Sequence, residues 1–321
     1  MYIRLMLMND PNKKKLLDIA SDIRDVIDKK QKAMALSFVE DTHTYFIKNN
    51  EGYIVSNLPS VSSVITQFYE PFDALTKSYQ MCDGDLQLQD ELLKAWGGTA
   101  DYANNRGSRV HYFLEMDLLK MYGSYKEVRK PIFECDEEQI QTGNNMIDAG
   151  HDFIRAMHRR GAVLLDTEMV LGDFDLGYTG QPDKVWLMYD KDGNLGFLIT
   201  DWKTNKPKNF EIQAWTVPML PPFEKHLDTA LAHYKIQLPL YGRLILKMLE
   251  GTKFEGIKFF GCVIVHLLET GKYVEYRVEN DFINTIMKMN PVERIDEVMA
   301  YKKKQINREE KRKQLVENLI K

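Results

Sequence analysis

Cysteine is scarce in this sequence. Three cysteines, Cys82, Cys135 and Cys262, stand far apart in 321 residues. An odd number without paired spacing argues against a disulfide framework and indicates a reducing compartment, so we expect a cytoplasmic protein. The same scarcity argues against an iron–sulfur cluster, which requires four thiolate ligands.

Long apolar runs and a strong net charge are also missing. No run approaches the ~20 apolar residues that span a bilayer, so we expect no membrane partner. Residues 1–8 are apolar but lack the small-residue cleavage site of a signal peptide, and they are a candidate edge strand. The net charge of −4 does not indicate nucleic-acid binding. Any inference about a partner must therefore come from local motifs.

The composition is that of a folded protein, with 44% hydrophobic and 11% aromatic residues. The length suits one elaborated core with additions, and no stretch rich in Pro, Gly or Ser divides the chain. Periodicity predicts an α/β fold with one central mixed sheet. The elements of this core are a helix over 137–160, strands near 163–171, 179–189 and 196–203, a helix over 228–249 and a strand over 258–267.

Two apolar runs around residues 190–194 predict a β-hairpin. Side chains alternate along a strand, so Asp201 and Lys203 share a face. Asp183 lies on that face only if it pairs opposite Asp201. A two-residue turn would instead pair it with Trp202 and point it away. A three-residue turn over 191–193, with Gly193 in the left-handed conformation, gives the required register, and we predict that turn.

Two carboxylates at neighbouring strand ends repel each other unless a cation lies between them. Hard oxygen ligands in incomplete number suit Mg²⁺ or Mn²⁺, which keep water and recruit phosphate oxygens. A nearby lysine can orient or deprotonate the attacking water, or stabilise charge in the transition state. The chemistry indicated is phosphodiester hydrolysis. The alternative is an ordinary hairpin with two capping aspartates and a surface lysine.

His111 follows Gly107, a glycine that can open a helix, with apolar neighbours at helical spacing. Imidazole is a good third ligand for Mn²⁺ or Mg²⁺. The alternative is a structural histidine. Glu115, one turn later on the same face, either orders a metal-bound water, holds the imidazole tautomer, or is simply solvated.

Gln237 and Tyr241 are four residues apart and share a helix face. An amide and a phenol there can donate to a phosphate or orient the lysine, or they form an interior polar pair. Lys206 lies three residues after Lys203, just beyond the strand that carries Asp201. Arg106 and Arg109 flank the expected helix start, where backbone amides favour anions.

These motifs resemble the PD-(D/E)XK nuclease superfamily. Gly180-x-Pro-Asp183 followed by Asp201-x-Lys203 is similar to its signature. Gly107-x-x-x-His111 and Gln237-x-x-x-Tyr241 are similar to motifs of its RecB-like exonuclease branch, and Glu168 lies where the first core strand often carries a glutamate. The motifs occur in the expected order over roughly residues 107–245, and the N-terminal block resembles the leader of bacteriophage members.

The resemblance implies a restriction-endonuclease-like core with central mixed β-sheet flanked by helices, plus helical N- and C-terminal additions. We divide the chain into a leader (1–105), the nuclease core (106–280) and a C-terminal helical extension (281–321). The expected metal ligands are His111, Asp183, Asp201 and the Trp202 carbonyl. The expected catalytic residues are Asp183, Asp201, Lys203 and Glu168, and the expected substrate-binding residues are Gln237, Tyr241, Arg109 and Lys206.

The expected activity is metal-dependent hydrolysis of DNA, with an exonuclease in end processing, recombination or repair favoured over a structure-specific endonuclease. If the chain is viral, the compartment is the bacterial host cytoplasm. A separate helicase, recombinase or single-strand-binding protein is a candidate partner, because the chain lacks a phosphate loop of its own. The alternative is a non-catalytic nucleic-acid-binding or assembly protein that retains the fold.

Overall fold

The structure is a computed structural model that describes residues 10–124, 131–211 and 216–320. The candidate edge strand at residues 1–8 lies outside these ranges. In chain order the elements are α1 (Pro11–Ala33), β1 (Ser37–Val39), β2 (Thr44–Lys48), β3 (Ile54–Val55), α2 (Val61–Val64), α3 (Ala74–Met81), α4 (Leu86–Tyr122), α5 (Glu137–Arg159), β4 (Val163–Thr167), β5 (Leu171–Asp173), β6 (Tyr178–Gly180), β7 (Lys184–Tyr189), β8 (Leu195–Lys203), α6 (Ala230–Leu249), β9 (Lys258–Leu267), β10 (Tyr273–Arg277), α7 (Asn280–Lys288) and α8 (Ile295–Ile320).

The centre of the fold is a mixed five-stranded sheet of order β10-β9-β8-β7-β4. β8 and β9 are parallel, and the other neighbours are antiparallel. A parallel pair requires a crossover, and α6 supplies it. The predicted mixed α/β architecture, with helices flanking a central sheet, is therefore confirmed.

Helices cover both faces of this sheet. On one face, Val185, Ile199 and Ile264 belong to a core that includes the apolar sides of α1 and α6. On the other face, Trp186, Trp202 and Val265 pack with α4 and α5. Such near-continuous apolar strands are typical of sheets buried on both sides. Among the described residues, no helix is long and apolar enough to cross a membrane.

Side chains cap the first turns of two long helices. Asp10 caps α1 by accepting hydrogen bonds from the Asn12 and Lys13 amides at 3.0 and 3.4 Å. Asp136 and Gln139 form a reciprocal capping box at the start of α5. The predicted strand over 258–267 coincides with β9, and the predicted helix over 228–249 is α6.

The predicted strands near 163–171 and 179–189 are each interrupted. β4 ends at Thr167, because Glu168 takes a left-handed conformation with φ 45°. Pro182 lacks an amide donor and lies between β6 and β7. Residues 171–173 and 178–180 form a separate two-stranded sheet instead of extending the central one.

The expected helix start near Gly107 is wrong. α4 is continuous from Leu86 to Tyr122 and is capped by Asp85, so Gly107 lies in its interior. A glycine there costs about 1 kcal/mol, which packing along a long helix easily offsets. Arg106 and Arg109 therefore have no helix N-terminus beside them to assist anion binding. The proposed division at 105/106 also falls within α4, and that at 280/281 falls within α7.

Candidate functional site

The turn between β7 and β8 has the predicted three-residue form. The Asp190 amide donates to the Asn194 carbonyl at 3.0 Å, which leaves residues 191–193 as the loop. Gly193 takes φ 79°, in the left-handed region that favours glycine. The ladder then runs from Tyr189–Leu195 to Lys184–Thr200. One further step places Asp183 opposite Asp201, as predicted.

The Asp183 carboxylate contacts the Trp202 amide, His111 and Lys184. Its Oδ2 accepts a hydrogen bond from the Trp202 amide at 3.1 Å and lies 3.2 Å from Nδ1 of His111. Burial by itself would raise the pKa of Asp183. The charge of Lys184, the contact with His111 and the charge of Lys203 together outweigh burial and hold the pKa of Asp183 well below its usual range.

Asp201 experiences the opposite environment. Its side chain is 4% exposed, and its Oδ2 lies 2.5 Å from Nζ of Lys203. Burial and the neighbouring Asp183 charge nevertheless raise the pKa of Asp201 to about 6. Burial would lower the pKa of Lys203, but Asp201, Tyr234 and Asp183 raise it, so this lysine stays protonated. A cation between the two carboxylates would relieve the repulsion that raises the pKa of Asp201.

Lys184 is a site residue that the motifs did not indicate. It is 1% exposed, with Nζ 3.4 Å from Asp183 Oδ2 and 4.5 Å from the centre of the Trp202 ring. Lysine is almost never buried without a partner. A single lysine opening the otherwise apolar strand Lys184–Tyr189 was the available signal in the sequence.

α4 contributes His111 and Glu115 to the same cavity. Gly107 allows this approach, because a Cβ at that position would lie 3.0 Å from the Thr204 hydroxyl just beyond β8. Glu115 is buried, not solvated, and accepts a hydrogen bond from the Thr167 hydroxyl at 3.2 Å. The helix therefore carries its polar face against the strand ends.

The backbones of Glu168 and Trp202 both make hydrogen bonds with Asp183. The Glu168 amide donates to the Asp183 carbonyl at 3.1 Å, and the Glu168 carbonyl accepts from Nε2 of Gln181 at 3.0 Å. The Trp202 ring is buried and packs edge-on against Phe153. Glu168 and Trp202 both line the cavity. The catalytic role of Glu168 and the metal-ligand role of the Trp202 carbonyl remain predictions.

Gln237 and Tyr241 form the interior polar pair that was one of the two interpretations. Nε2 of Gln237 donates to the Tyr241 hydroxyl at 2.9 Å. Tyr241 is 5% exposed and covers Gly180, and neither residue lines the cavity. Tyr234, one turn earlier on α6, does line it, with Nζ of Lys203 4.1 Å from its ring centre. The helical spacing from Gln237 back to Tyr234 could have indicated this residue.

The three basic candidates lie in different places. Lys206 is exposed at the cavity. Arg109 turns towards α5, donates to Asn144 Oδ1 at 2.8 Å and lies over the Phe113 ring, outside the cavity lining. Arg106 is buried, lines the cavity, pairs with Glu269 and donates to the Thr204 carbonyl at 3.2 Å.

The cavity has a volume of about 790 Å³ and lies between α4, the ends of β7 and β8, and the region around β1. Asp183 and His111 suit Mg²⁺ or Mn²⁺ by ligand type. Within the described ranges, no three His, Cys, Asp or Glu side chains converge closely enough to form a metal-binding group. Asp201 would have to exchange its Lys203 contact for a metal ion to complete the set.

The chain was also compared with known proteins. No model of a known protein family matches it, and no curated protein matches it. The functional inference therefore depends on the sequence motifs and on the geometry of this cavity.

Proposed function

We propose that this protein is a divalent-metal-dependent DNA nuclease with a restriction-endonuclease-like core of the PD-(D/E)XK type. The observation that supports it best is the hairpin register, which brings Asp183 opposite Asp201 with Lys203 on the same face. His111 reaches Asp183 from a different element, α4. His111, Asp183 and Lys203 line one cavity, and Asp201 lies behind that lining in contact with Lys203.

In this proposal Asp183, Asp201, His111 and the Trp202 carbonyl would hold Mg²⁺ or Mn²⁺. The ion, when bound, polarises the phosphate and makes a bound water more acidic. Lys203 is protonated, so its role is to orient the attacking water by donating to it and to stabilise negative charge on the phosphate. Release of Lys203 from Asp201 would free its ammonium group for this role.

Other residues support the reaction from around the site. Lys206 offers a point charge for a DNA phosphate at the cavity mouth. Tyr234 lies against Lys203, and Glu168 adds a carboxylate to the lining. Gln237 and Tyr241 lie outside the lining and take no direct part in this proposal. Arg109 would reach substrate only after leaving Asn144.

Purified protein with Mn²⁺ should degrade linear DNA, and an exonuclease should leave circular DNA of the same sequence intact. Lys203→Ala should lower the rate about 10²–10³-fold, as does removal of one group that stabilises transition-state charge. Lys191→Ala is the matched control, because Lys191 is an exposed lysine at the far end of the same hairpin. Full activity of Lys203→Ala, or no cleavage of single- or double-stranded linear DNA, would contradict the proposal.

A non-catalytic DNA-binding protein is the second candidate. The observation that favours it is the pairing of each aspartate with a lysine, Asp183 with Lys184 and Asp201 with Lys203. Each aspartate of such a site has a cationic partner without a metal ion. DNA binding that survives Asp201→Ala, together with no cleavage by the parent protein, would support this candidate. Cleavage of circular DNA would instead indicate an endonuclease.

A further inference from the structure

Asp183 lines the cavity, and Asp201 is buried directly behind the lining. The side chains of Asp183 and Asp201 are 14% and 4% exposed. A volume of about 790 Å³ falls in the ~300–1,000 Å³ range of small-ligand pockets. A double helix, whose major groove alone is about 12 Å wide, does not fit into such a space. Only a flexible strand can bring a phosphate to these carboxylates.

Aromatic rings line two walls of this cavity. Phe38 and His43 come from the region of β1, where the two rings meet edge to face at 5.1 Å. Tyr102 and Tyr112 come from α4. Every base has an aromatic face, so rings in a groove bind single-stranded DNA by stacking with little sequence preference.

The charges of the cavity are mixed. Lys206 and Lys208 are exposed lysines of the lining, whereas Arg106 is paired with Glu269 and Lys203 with Asp201. Glu40 and Glu168 also line the cavity. A strongly basic surface for a duplex backbone is therefore absent from the described part of this cavity. Affinity must come chiefly from the bases, which a duplex keeps stacked inside.

Building on the proposed nuclease function, we infer that the cavity selects a single-stranded DNA segment. Its bases stack on Phe38 and Tyr112, and its backbone passes Lys206 towards Asp183, the aspartate that lines the cavity. Duplex DNA has to be opened, or to carry an overhang, before a phosphate reaches the carboxylates.

The test is binding measured in EDTA, where metal-dependent cleavage does not interfere. A fluorescein-labelled 12-nucleotide strand is compared by anisotropy with the blunt duplex of the same sequence. The single strand should bind at least tenfold more tightly. In a plot of the logarithm of single-strand affinity against the logarithm of salt concentration, the slope should be about −2 or shallower, because few phosphates are neutralised.

Four variants separate stacking from folding. Phe38→Ala and Tyr112→Ala should each weaken single-strand binding about tenfold, within the range for loss of one base–aromatic stack. Tyr112→Phe keeps the ring and should bind like the parent, so it distinguishes stacking from a lost hydroxyl or a folding defect. Tyr53→Ala is the control, because Tyr53 is exposed just before β3, which belongs to the same three-stranded sheet as β1, and it lies outside the cavity lining.

The outcomes separate this inference from the proposed activity. Equal or tighter binding of the blunt duplex, or unchanged binding by both alanine variants, overturns the single-strand inference even if Mn²⁺-dependent cleavage occurs. Ring-dependent preference for the single strand supports the inference even if no cleavage is found, in which case the nuclease proposal alone fails.

Discussion

The pKa values of the two aspartates at the strand ends shift in opposite directions, although the two residues lie opposite each other. The cations around Asp183 keep it ionised. Asp201 is more deeply buried, and burial together with repulsion by the Asp183 charge raises its pKa. A folded-state pKa raised above the unfolded value means that folding favours protonated Asp201. The contribution of Asp201 to stability is therefore present at low pH and is lost as pH rises through about 6.

This sign gives a prediction for Asp201→Asn. At pH 7.5 in EDTA, the variant should be as stable as the parent or about 1–3 kcal/mol more stable, because a neutral amide removes the repulsion. Mn²⁺ should raise the melting temperature of the parent and not that of the variant, since only a bound ligand stabilises the folded state. Thermal unfolding with and without Mn²⁺ measures both effects.

Asp192→Asn is the matched control, because Asp192 is exposed at the opposite end of the hairpin and should change neither quantity. A clear loss of stability of Asp201→Asn in EDTA would show instead that the contact with Lys203 outweighs the repulsion.

Lys184 gives a second prediction at the residue scale. Its buried ammonium group lies beside Asp183, and removal of one partner from a buried pair leaves the other uncompensated. Lys184→Met and Asp183→Asn should each destabilise the protein, and the double variant should lose less than their sum by about 1–3 kcal/mol. Urea unfolding of the four proteins measures this coupling. Additive losses would show that Lys184 is retained for packing on Trp202 alone.

At the scale of elements, the packing of α4 against α5 positions His111. Gly150 of α5 faces Leu114 of α4 so closely that a Cβ would lie 2.5 Å from the Leu114 side chain. His151 also contacts Asp117 at 2.9 Å across this interface. Small residues allow such close helix contact, and overpacking there forces the helices apart.

Gly150→Ala should therefore destabilise the protein by about 1–3 kcal/mol and lower any His111-dependent activity. Gly98→Ala is the control in α4, because nothing lies within 4 Å of its Cβ position. That substitution should stabilise the protein by about 0.5–1 kcal/mol through helix propensity alone. Chemical denaturation compares the two. Equal effects would show that α4 and α5 can separate without cost.

At the scale of the whole molecule, His158 connects the helical layer to the sheet. Tyr122 of α4 contacts Nε2 of His158 at 2.9 Å, and the same hydroxyl accepts the Leu164 amide of β4 at 2.9 Å. Burial, and then the charge of Lys13, lower the pKa of His158 from 6.5 to about 4. The folded protein therefore keeps a neutral imidazole at this junction.

Because the unfolded state binds the proton first, the stability that His158 provides is complete above pH 6.5 and is lost as pH falls towards 4. Between pH 7 and 4.5 this loss should be about 2 kcal/mol. His158→Gln should remove this part of the dependence of stability on pH, whereas His43→Gln, at an exposed position, should leave it unchanged. Urea unfolding across this range is the measurement. Parallel curves for the parent and His158→Gln would exclude His158 as the source.

Local rules predicted much of the candidate site. The left-handed glycine, the three-residue turn and strand alternation are short-range properties, so Asp183, Asp201 and Lys203 could be placed from the chain alone. The continuity of α4 could not be read in this way, because a glycine at position 107 is weakly unfavourable for a helix in isolation. Only its approach to Thr204 shows why a small residue lies there.

By itself, the sequence determined the hairpin register and the order of helices and strands, since each depends on residues only a few positions apart. Tertiary structure alone decided that Lys184 compensates Asp183, that Tyr241 lies in the interior while Tyr234 lines the cavity, and that Arg109 turns away from it. Those outcomes depend on which distant elements pack together, and burial and charge compensation arise only from that packing.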